Sequence, residues 1–192
     1  EMAYALQEGV FQFNCESEAE LHHLNEVAGS LGKKAPIALR VNPDVDPQTH
    51  AKISTGMKQN KFGIAMEQVV PLYREAAKLP HLDVQGVSMH IGSQLTSLLP
   101  FRQAFRVVID LVGTLRADGH DIRTLDLGGG LGIPYGEHAE PPSPLDYAEA
   151  VKAEIGDLDC QLIFEPGRMI AGNAGILVSQ VILVKESDEW RV

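Results

Sequence analysis

The sequence predicts an α/β fold on a parallel sheet, and three observations carry that prediction. Short apolar runs of strand character alternate with helix-period segments along most of the chain. The runs are continuous rather than alternating, as in strands covered on both faces. Residues suited to chemistry recur just past three of these runs, and a (β/α)8 barrel places its active site at strand ends. An open doubly wound sheet satisfies the first two observations. The third favours a TIM barrel, and five strand–helix units fit most of one.

Glu1 to Leu6 reads like the middle of a helix rather than a chain start. Val10 to Asn14 is a short aromatic-rich strand. Ser17-x-x-Glu20 is a capping-box signature, and Leu21, Leu24, Val27, Ala28 and Leu31 follow at helical spacing until Gly32. Ala35 to Val41 is the second strand. Residues 43 to 61 make a long polar loop, a length that usually signals function or disorder. Glu67 to Leu79 is a helix, with Pro71 expected in its first turn, where a missing N–H costs little. Val84 to Ile91 is the third strand, and Pro100 to Arg116 is a helix with a wide apolar stripe. Leu125 to Leu127 is the fourth strand, Leu145 to Ile155 a helix, and Gln161 to Phe164 the fifth strand. The rhythm then changes. Ile176 to Val184 is a nine-residue β-type run with no helix before it, read as the first strand of a separate all-β segment.

Composition narrows the function classes. An apolar fraction of 44% supplies a core for 192 residues. A net charge of -10, with no Lys/Arg cluster, argues against nonspecific binding to nucleic acid or anionic membranes. Cys15 and Cys160 sit in no Cys-x-x-Cys pair, so neither a zinc nor a redox motif is indicated, and buried free thiols in a reducing, cytoplasmic setting fit best. No metal site is expected, because the seven histidines show no ligand spacing, and His22 and His23 cannot share a helix face.

Three strand ends carry the chemistry. His90-Ile-Gly-Ser93 offers an imidazole that can serve as base, metal ligand, flat ring partner or plain core histidine, and a hydroxyl that can meet a phosphate or cap a turn. Gly128-Gly129-Gly130 can turn tightly and present N–H groups to an anion, or simply turn. In Glu165-Pro-Gly-Arg168, a carboxylate at the top of an apolar strand needs a cationic partner, either Arg168 or the protonated ring nitrogen of a cofactor. Together the set suits a phosphorylated aromatic cofactor, with pyridoxal 5'-phosphate the first candidate.

These residues also match a known family. Leu39-Arg-Val-Asn-Pro-Asp-Val-Asp46, Ile53-Ser-Thr-Gly-Met-Lys-Gln-Asn-Lys-Phe-Gly-Ile64, His90-Ile-Gly-Ser-Gln94, Asp126-Leu-Gly-Gly-Gly130 and Glu165-Pro-Gly-Arg168 run in family order over nearly the whole chain. The chain resembles the diaminopimelate decarboxylases, within the alanine-racemase-like fold of pyridoxal-phosphate enzymes. The resemblance implies that His90 stacks on the pyridine face. It implies that Ser93, Gly128, Gly129, Gly130 and backbone near Gly167 hold the phosphate. Glu165 would keep the pyridine nitrogen protonated, so His90 and Glu165 are the expected catalytic pair. Arg168 would lie near the phosphate and the distal carboxylate of the substrate, and Arg40 under the ring. The implied reaction is decarboxylation of meso-diaminopimelate to lysine, in a cytoplasmic homodimer in which one subunit's β domain completes the other's site. The sister decarboxylases for ornithine, arginine or carboxynorspermidine are the near alternative, and a noncatalytic cofactor-binding fragment is the distant one.

The departures from the family pattern are as telling. Its Schiff-base lysine lies in a Tyr-x-x-Lys-Ala motif on the first barrel strand, and this chain has no such motif. Lys33, Lys34, Lys52, Lys58 and Lys61 fall in turns or the long loop, and neither cysteine matches the family's catalytic one. The expectation is therefore a fragment. Residues 1–172 would form a partial barrel of about strands four to eight, residues 173–192 would begin the C-terminal β domain, and the piece would be inactive alone.

Overall fold

The computed structural model describes residues 1–46, 62–135, 140–156 and 158–186. The chain opens with helix α1 (Met2–Glu8), which Gly9 ends in a left-handed turn at φ 72°. Strand β1 (Phe13–Cys15) and helix α2 (Glu18–Ser30) follow. Ser17 caps α2 by accepting from the Glu20 N–H at 3.2 Å, as the motif predicts. The Glu20 carboxylate, however, accepts from the Glu16 N–H at 2.7 Å, one residue before the expected partner. Then come β2 (Ala35–Asn42), the two-residue β3 (Ile64–Ala65), α3 (Met66–Ala76), β4 (Leu82–Met89) and α4 (Leu99–Ala117). The described part closes with β5 (Thr124–Asp126), α5 (Pro144–Ile155), β6 (Gln161–Ile163) and the short α6 (Gly167–Ala171). The sequence pattern missed β3 and α6, each too short to show a period. It also missed the full capping box of α5, where Ser143 and Asp146 bond reciprocally.

Two expectations need correction. Pro71 lies inside α3 rather than in its first turn, because the helix starts at Met66. Its ring is exposed on the outer face, where water can take the carbonyl bond that proline cannot donate to. Ile176–Val184 forms no strand and is exposed throughout. A strand needs a neighbour for its backbone groups, and none lies alongside among the described residues. Most of the long loop, with Lys52, Lys58 and Lys61, lies outside the described residues.

The sheet is wholly parallel, in the order β1-β2-β4-β5-β6, with β3 continuing the β1 side of β2. That order never reverses, so right-handed crossovers put every connecting helix on one face. A doubly wound sheet requires a reversal. Curvature agrees. β1 and β5 are three strand spacings apart, about 14 Å if the sheet were flat. Yet the Asn14 side chain donates to Asp126 at 2.7 Å, and Thr124 Oγ1 donates to Gln12 at 2.6 Å. Only a sheet curled into part of a barrel brings these residues together. β1 and β6 each pair on one side only among the described residues.

The strands do not bury two apolar faces, as their composition suggested. Register places Asn14, Ala38, Gly86 and Thr124 in one row on the concave face, with Arg40, Ser88 and Asp126 in the next. The opposite face carries Ile37, Leu39, Val41, Val87, Met89, Leu125 and Leu127, all buried against the helices. Tyr73 of α3 reaches through this layer and donates to the Gly86 carbonyl at 2.6 Å. Gly86 leaves room on the concave face for Gln12 to meet Thr124, since a Cβ there would strike both side chains.

Candidate active site

Every predicted site residue sits at the carboxyl ends of the strands. His90 follows β4, Ser93 lies in the turn after it, Gly128 to Gly130 follow β5, and Glu165 follows β6. The parallel sheet makes this automatic, since all its strands point the same way.

The glycine run is first a packing joint. A Cβ on Gly128 would strike the Met89 carbonyl, one on Gly129 the Glu165 carbonyl, and one on Gly130 the Gly92 carbonyl. Gly128 and Gly130 also hold φ of +65° and +108°, which favour glycine. Three strand ends thus meet with backbone against backbone. Their N–H groups are not all available to an anion. Gly128 N donates to Asp126 at 2.9 Å and Gly129 N donates to His90 Nδ1 at 3.2 Å. The Gly167 N–H is held by the Glu165 carbonyl at 2.7 Å. Of the three glycines expected to cradle a phosphate, Gly130 is the one whose N–H makes no recorded bond among the described residues.

The turn after β4 and the glycine run are zipped together. Leu95 N donates to Gly130 O at 2.9 Å, and Gly132 N donates to Leu95 O at 3.0 Å. The Gln94 amide then grips Ile133 from both sides, donating to its carbonyl at 2.6 Å and accepting from its N–H at 3.1 Å. This fixes Ser93 beside Gly130.

The electrostatics sort the side chains. His90 accepts at Nδ1, so its proton sits on Nε2. Burial and the Arg40 charge hold its pKa below the usual histidine value, against the pull of Asp126 and Glu16. The ring is therefore neutral and flat, suited to stacking rather than to carrying charge. Arg40 donates to Glu16 at 2.7 Å and lies over the Phe62 ring. Glu165 is exposed on its outer side, yet its pKa is raised, by burial of the inner side, by the Asp126 charge and by a hydrogen bond to Asp126, with Arg40 opposing. Arg168 does not pair with Glu165. Its Nη1 donates to the Tyr135 hydroxyl at 2.7 Å, while its Nε is buried with no partner among the described residues. The sequence reading missed Asp126, Asn14 and Tyr135. A carboxylate inside an otherwise apolar strand, Leu125-Asp126-Leu127, was the signal that could have found Asp126.

Lys33 and Lys34 precede β2, at the opposite end of the sheet, and Lys33 Nζ donates to the Leu6 carbonyl at 2.7 Å. Cys15 is buried and its thiol is pushed up to about 12, chiefly by burial. Cys160 is half-buried and also raised by burial. Both are free thiols. Among the described residues, one grouping brings metal-type ligands together: Glu18, His22 and Glu75 on the helical layer, where His22 already bonds Glu75 at 3.0 Å. No helix is long and apolar enough to cross a membrane.

Comparison with known proteins agrees with this geometry. Residues 1–172 match the model of the pyridoxal-dependent decarboxylase, pyridoxal binding domain. The chain is 52% identical over 192 residues to a diaminopimelate decarboxylase of Zymomonas mobilis, covering all of this chain and 46% of that protein. It is 52% identical over 189 residues to one of Vibrio cholerae, covering 98% of this chain and 45% of that one. The crystal structure of diaminopimelate decarboxylase from Helicobacter pylori complexed with L-lysine superposes with a TM-score of 0.89 at 39% identity, over 97% of this chain and 47% of that one. The chain thus spans about half the length of the relatives it matches. Matched by that model over residues 1–172, the chain belongs to the pyridoxal-dependent decarboxylase family.

Proposed function

We propose that the chain supplies the cofactor-holding wall of a diaminopimelate decarboxylase, which converts meso-diaminopimelate to L-lysine. The observation that carries this is the strand-end set. A neutral His90, a Glu165 whose carboxyl is held above its usual range and an Arg168 with a buried donor unused among the described residues lie at the ends of one curled sheet, in a chain half identical to proteins of that name. The L-lysine complex of the Helicobacter pylori enzyme supports lysine as the product.

The residues fit pyridoxal 5'-phosphate. The orphaned Arg168 Nε asks for an anionic acceptor, and a phosphate or a substrate carboxylate supplies one. The Gly130 N–H, the Ser93 hydroxyl and backbone beside Gly167 add donors for the phosphate, with Gly128 and Gly129 shaping the turn. His90 presents a flat uncharged face to the ring. Glu165, whose carboxyl is held above its usual range, would partner the ring nitrogen. When bound, the cofactor supplies an electron sink for the pair released as the α-carboxylate leaves. Glu165 keeps that sink charged by holding the proton on the ring nitrogen. Arg168 orients a distal carboxylate.

The working enzyme, on this reading, is a cytoplasmic homodimer, and the free thiols Cys15 and Cys160 support a reducing setting. The test is release of CO₂ from meso-diaminopimelate. The longer protein that includes these residues is expected to release it and to lose the activity in His90→Ala and Glu165→Ala. Turnover of ornithine or arginine in preference would redirect the substrate assignment. The 192-residue chain by itself is expected to show none.

A further inference from the structure

Tyr135 is 51% exposed and its ring lies outside the core, yet it makes two contacts with Arg168. Its hydroxyl accepts from Arg168 Nη1 at 2.7 Å. The guanidinium carbon also stands over its ring, 5.9 Å from the centroid, within reach of a cation–π contact. Both contacts come from a segment that is itself fixed. Ile133, two residues earlier, is clamped by Gln94, and a Cβ on Gly172, just past α6, would strike the Ile133 side chain. The loop after β5 thus meets α6 and its end twice, at Arg168 and at Gly172. α6 has no buried residue of its own, and no other hydrogen bond holds the Arg168 side chain among the described residues.

A guanidinium can present paired N–H groups along two edges, Nη1 with Nη2 and Nε with Nη2. A hydroxyl on Nη1 occupies the first edge and leaves the second. That second edge includes the buried Nε, unpartnered among the described residues. We propose that Tyr135 is a positioning residue: it holds Arg168 by Nη1 so that the Nε–Nη2 edge is presented to an oxyanion. This rests on the reading of Arg168 as a residue that meets a bound anion. Two parallel N–H groups match two oxygens of a carboxylate or of a phosphate. An untethered arginine spreads over many rotamers and loses that freedom when an anion arrives. Tyr135 takes much of the loss beforehand, as the chain folds. The oxyanion has two sources at this site, the cofactor's phosphate and the distal carboxylate of the substrate.

The test uses the longer protein that includes these residues and the variant Tyr135→Phe, which keeps the ring and removes the acceptor. Two quantities are measured beside kcat: half-saturation by pyridoxal 5'-phosphate, and KM for meso-diaminopimelate at saturating cofactor. One of them is expected to rise roughly three- to tenfold, the worth of one hydrogen bond, with kcat changed by less than about twofold. A rise in KM assigns the edge to the substrate carboxylate, and a rise in half-saturation assigns it to the phosphate. Arg168→Lys, which keeps the charge and loses the fork, is expected to raise the same quantity further. Adding Tyr135→Phe to Arg168→Lys is expected to cost nothing more, because the tyrosine acts through the arginine. If Arg168→Lys moves one quantity and Tyr135→Phe moves neither, the proposal is overturned and the reading of Arg168 stands. A double variant worse than Arg168→Lys overturns it as well. If Arg168→Lys itself moves neither, the reading beneath fails and the proposal with it. Tyr135→Phe is expected to melt at the parent's temperature, and a lower melting temperature with a matching fall in kcat would mark a structural role and overturn the proposal.

Discussion

The two ends of the sheet use the same residue types and reach opposite results. At the amino ends of the strands, Arg123 bonds Asp121 and Asp83 at 2.7 and 2.9 Å, and Gln85 at 3.0 Å. Arg116 donates to the carbonyls of Ile122, Leu158 and Asp159, binding the entry to β5 and the entry to β6. Cations there meet anions and carbonyls, and the demand of each is met. At the carboxyl ends, burial and the nearby Asp126 push the Glu165 carboxyl up, a histidine is kept neutral beside an arginine, and an arginine has a buried donor with no partner among the described residues. The amino ends also bury an unpartnered nitrogen among the described residues, His120 Nε2, but their arginines are satisfied, whereas the carboxyl ends leave a cationic donor for a ligand to meet.

The largest expected effect tests how tightly that second end is built. Gly130→Ala drives a methyl into the Gly92 carbonyl at a φ that alanine resists, and should cost roughly 3 kcal/mol of stability. Urea unfolding would show it, and a shift within error would mean that the strand ends are looser than drawn. Asn14→Ala removes one donor from the buried Asp126 carboxylate and should cost about 1–3 kcal/mol by the same measurement.

A pH series separates the ends next. The folded chain holds the Glu165 proton more strongly than the unfolded chain does. That contribution is complete below the unfolded value and is lost as pH rises through the folded one. Glu165→Gln should therefore unfold at higher urea than the parent near neutral pH and match it in acid. His90 has the opposite sign. Its depressed pKa contributes stability above the ordinary histidine value of 6.5 that fades as pH falls, and His90→Gln should flatten that fall. Arg123→Ala gives the smallest effect, below about 1 kcal/mol, because its pairs are half exposed and screened. A cost equal to that of Asn14→Ala would erase the contrast between the two ends.

Much of this was legible in the residues. The five strand–helix units, the Ser17 cap and the three chemical strand ends all lie where period and motif put them. The barrel was legible, but the contacts across its inside were not. Nothing local says that Asn14 reaches Asp126 across 112 residues of sequence, because that bond depends on how strongly the whole sheet curls. Arg168 and Glu165, three residues apart, read naturally as an ion pair. The structure separates them, since α6 begins at Gly167 and carries Arg168 toward Tyr135. Ile176–Val184 has the composition of a strand, but composition cannot provide a neighbour to pair with. The glycine run had a double meaning. It suggests an anion site, and it also allows three backbones to touch, with two of its N–H groups used inside the protein.

Gln94 deserves a last consideration. Its amide holds the backbone of Ile133 as a neighbouring strand would, so the β4 and β5 loops behave as one rigid part. The entropy of bringing Ser93 beside Gly130 is then spent while the chain folds, not when a phosphate arrives. On the proposed cofactor reading, Gln94 contributes to binding at this wall by holding its loops in place. Gln94→Glu, which keeps the acceptor and loses the donor, would show up as slower capture and looser retention of the anion rather than as a missing contact.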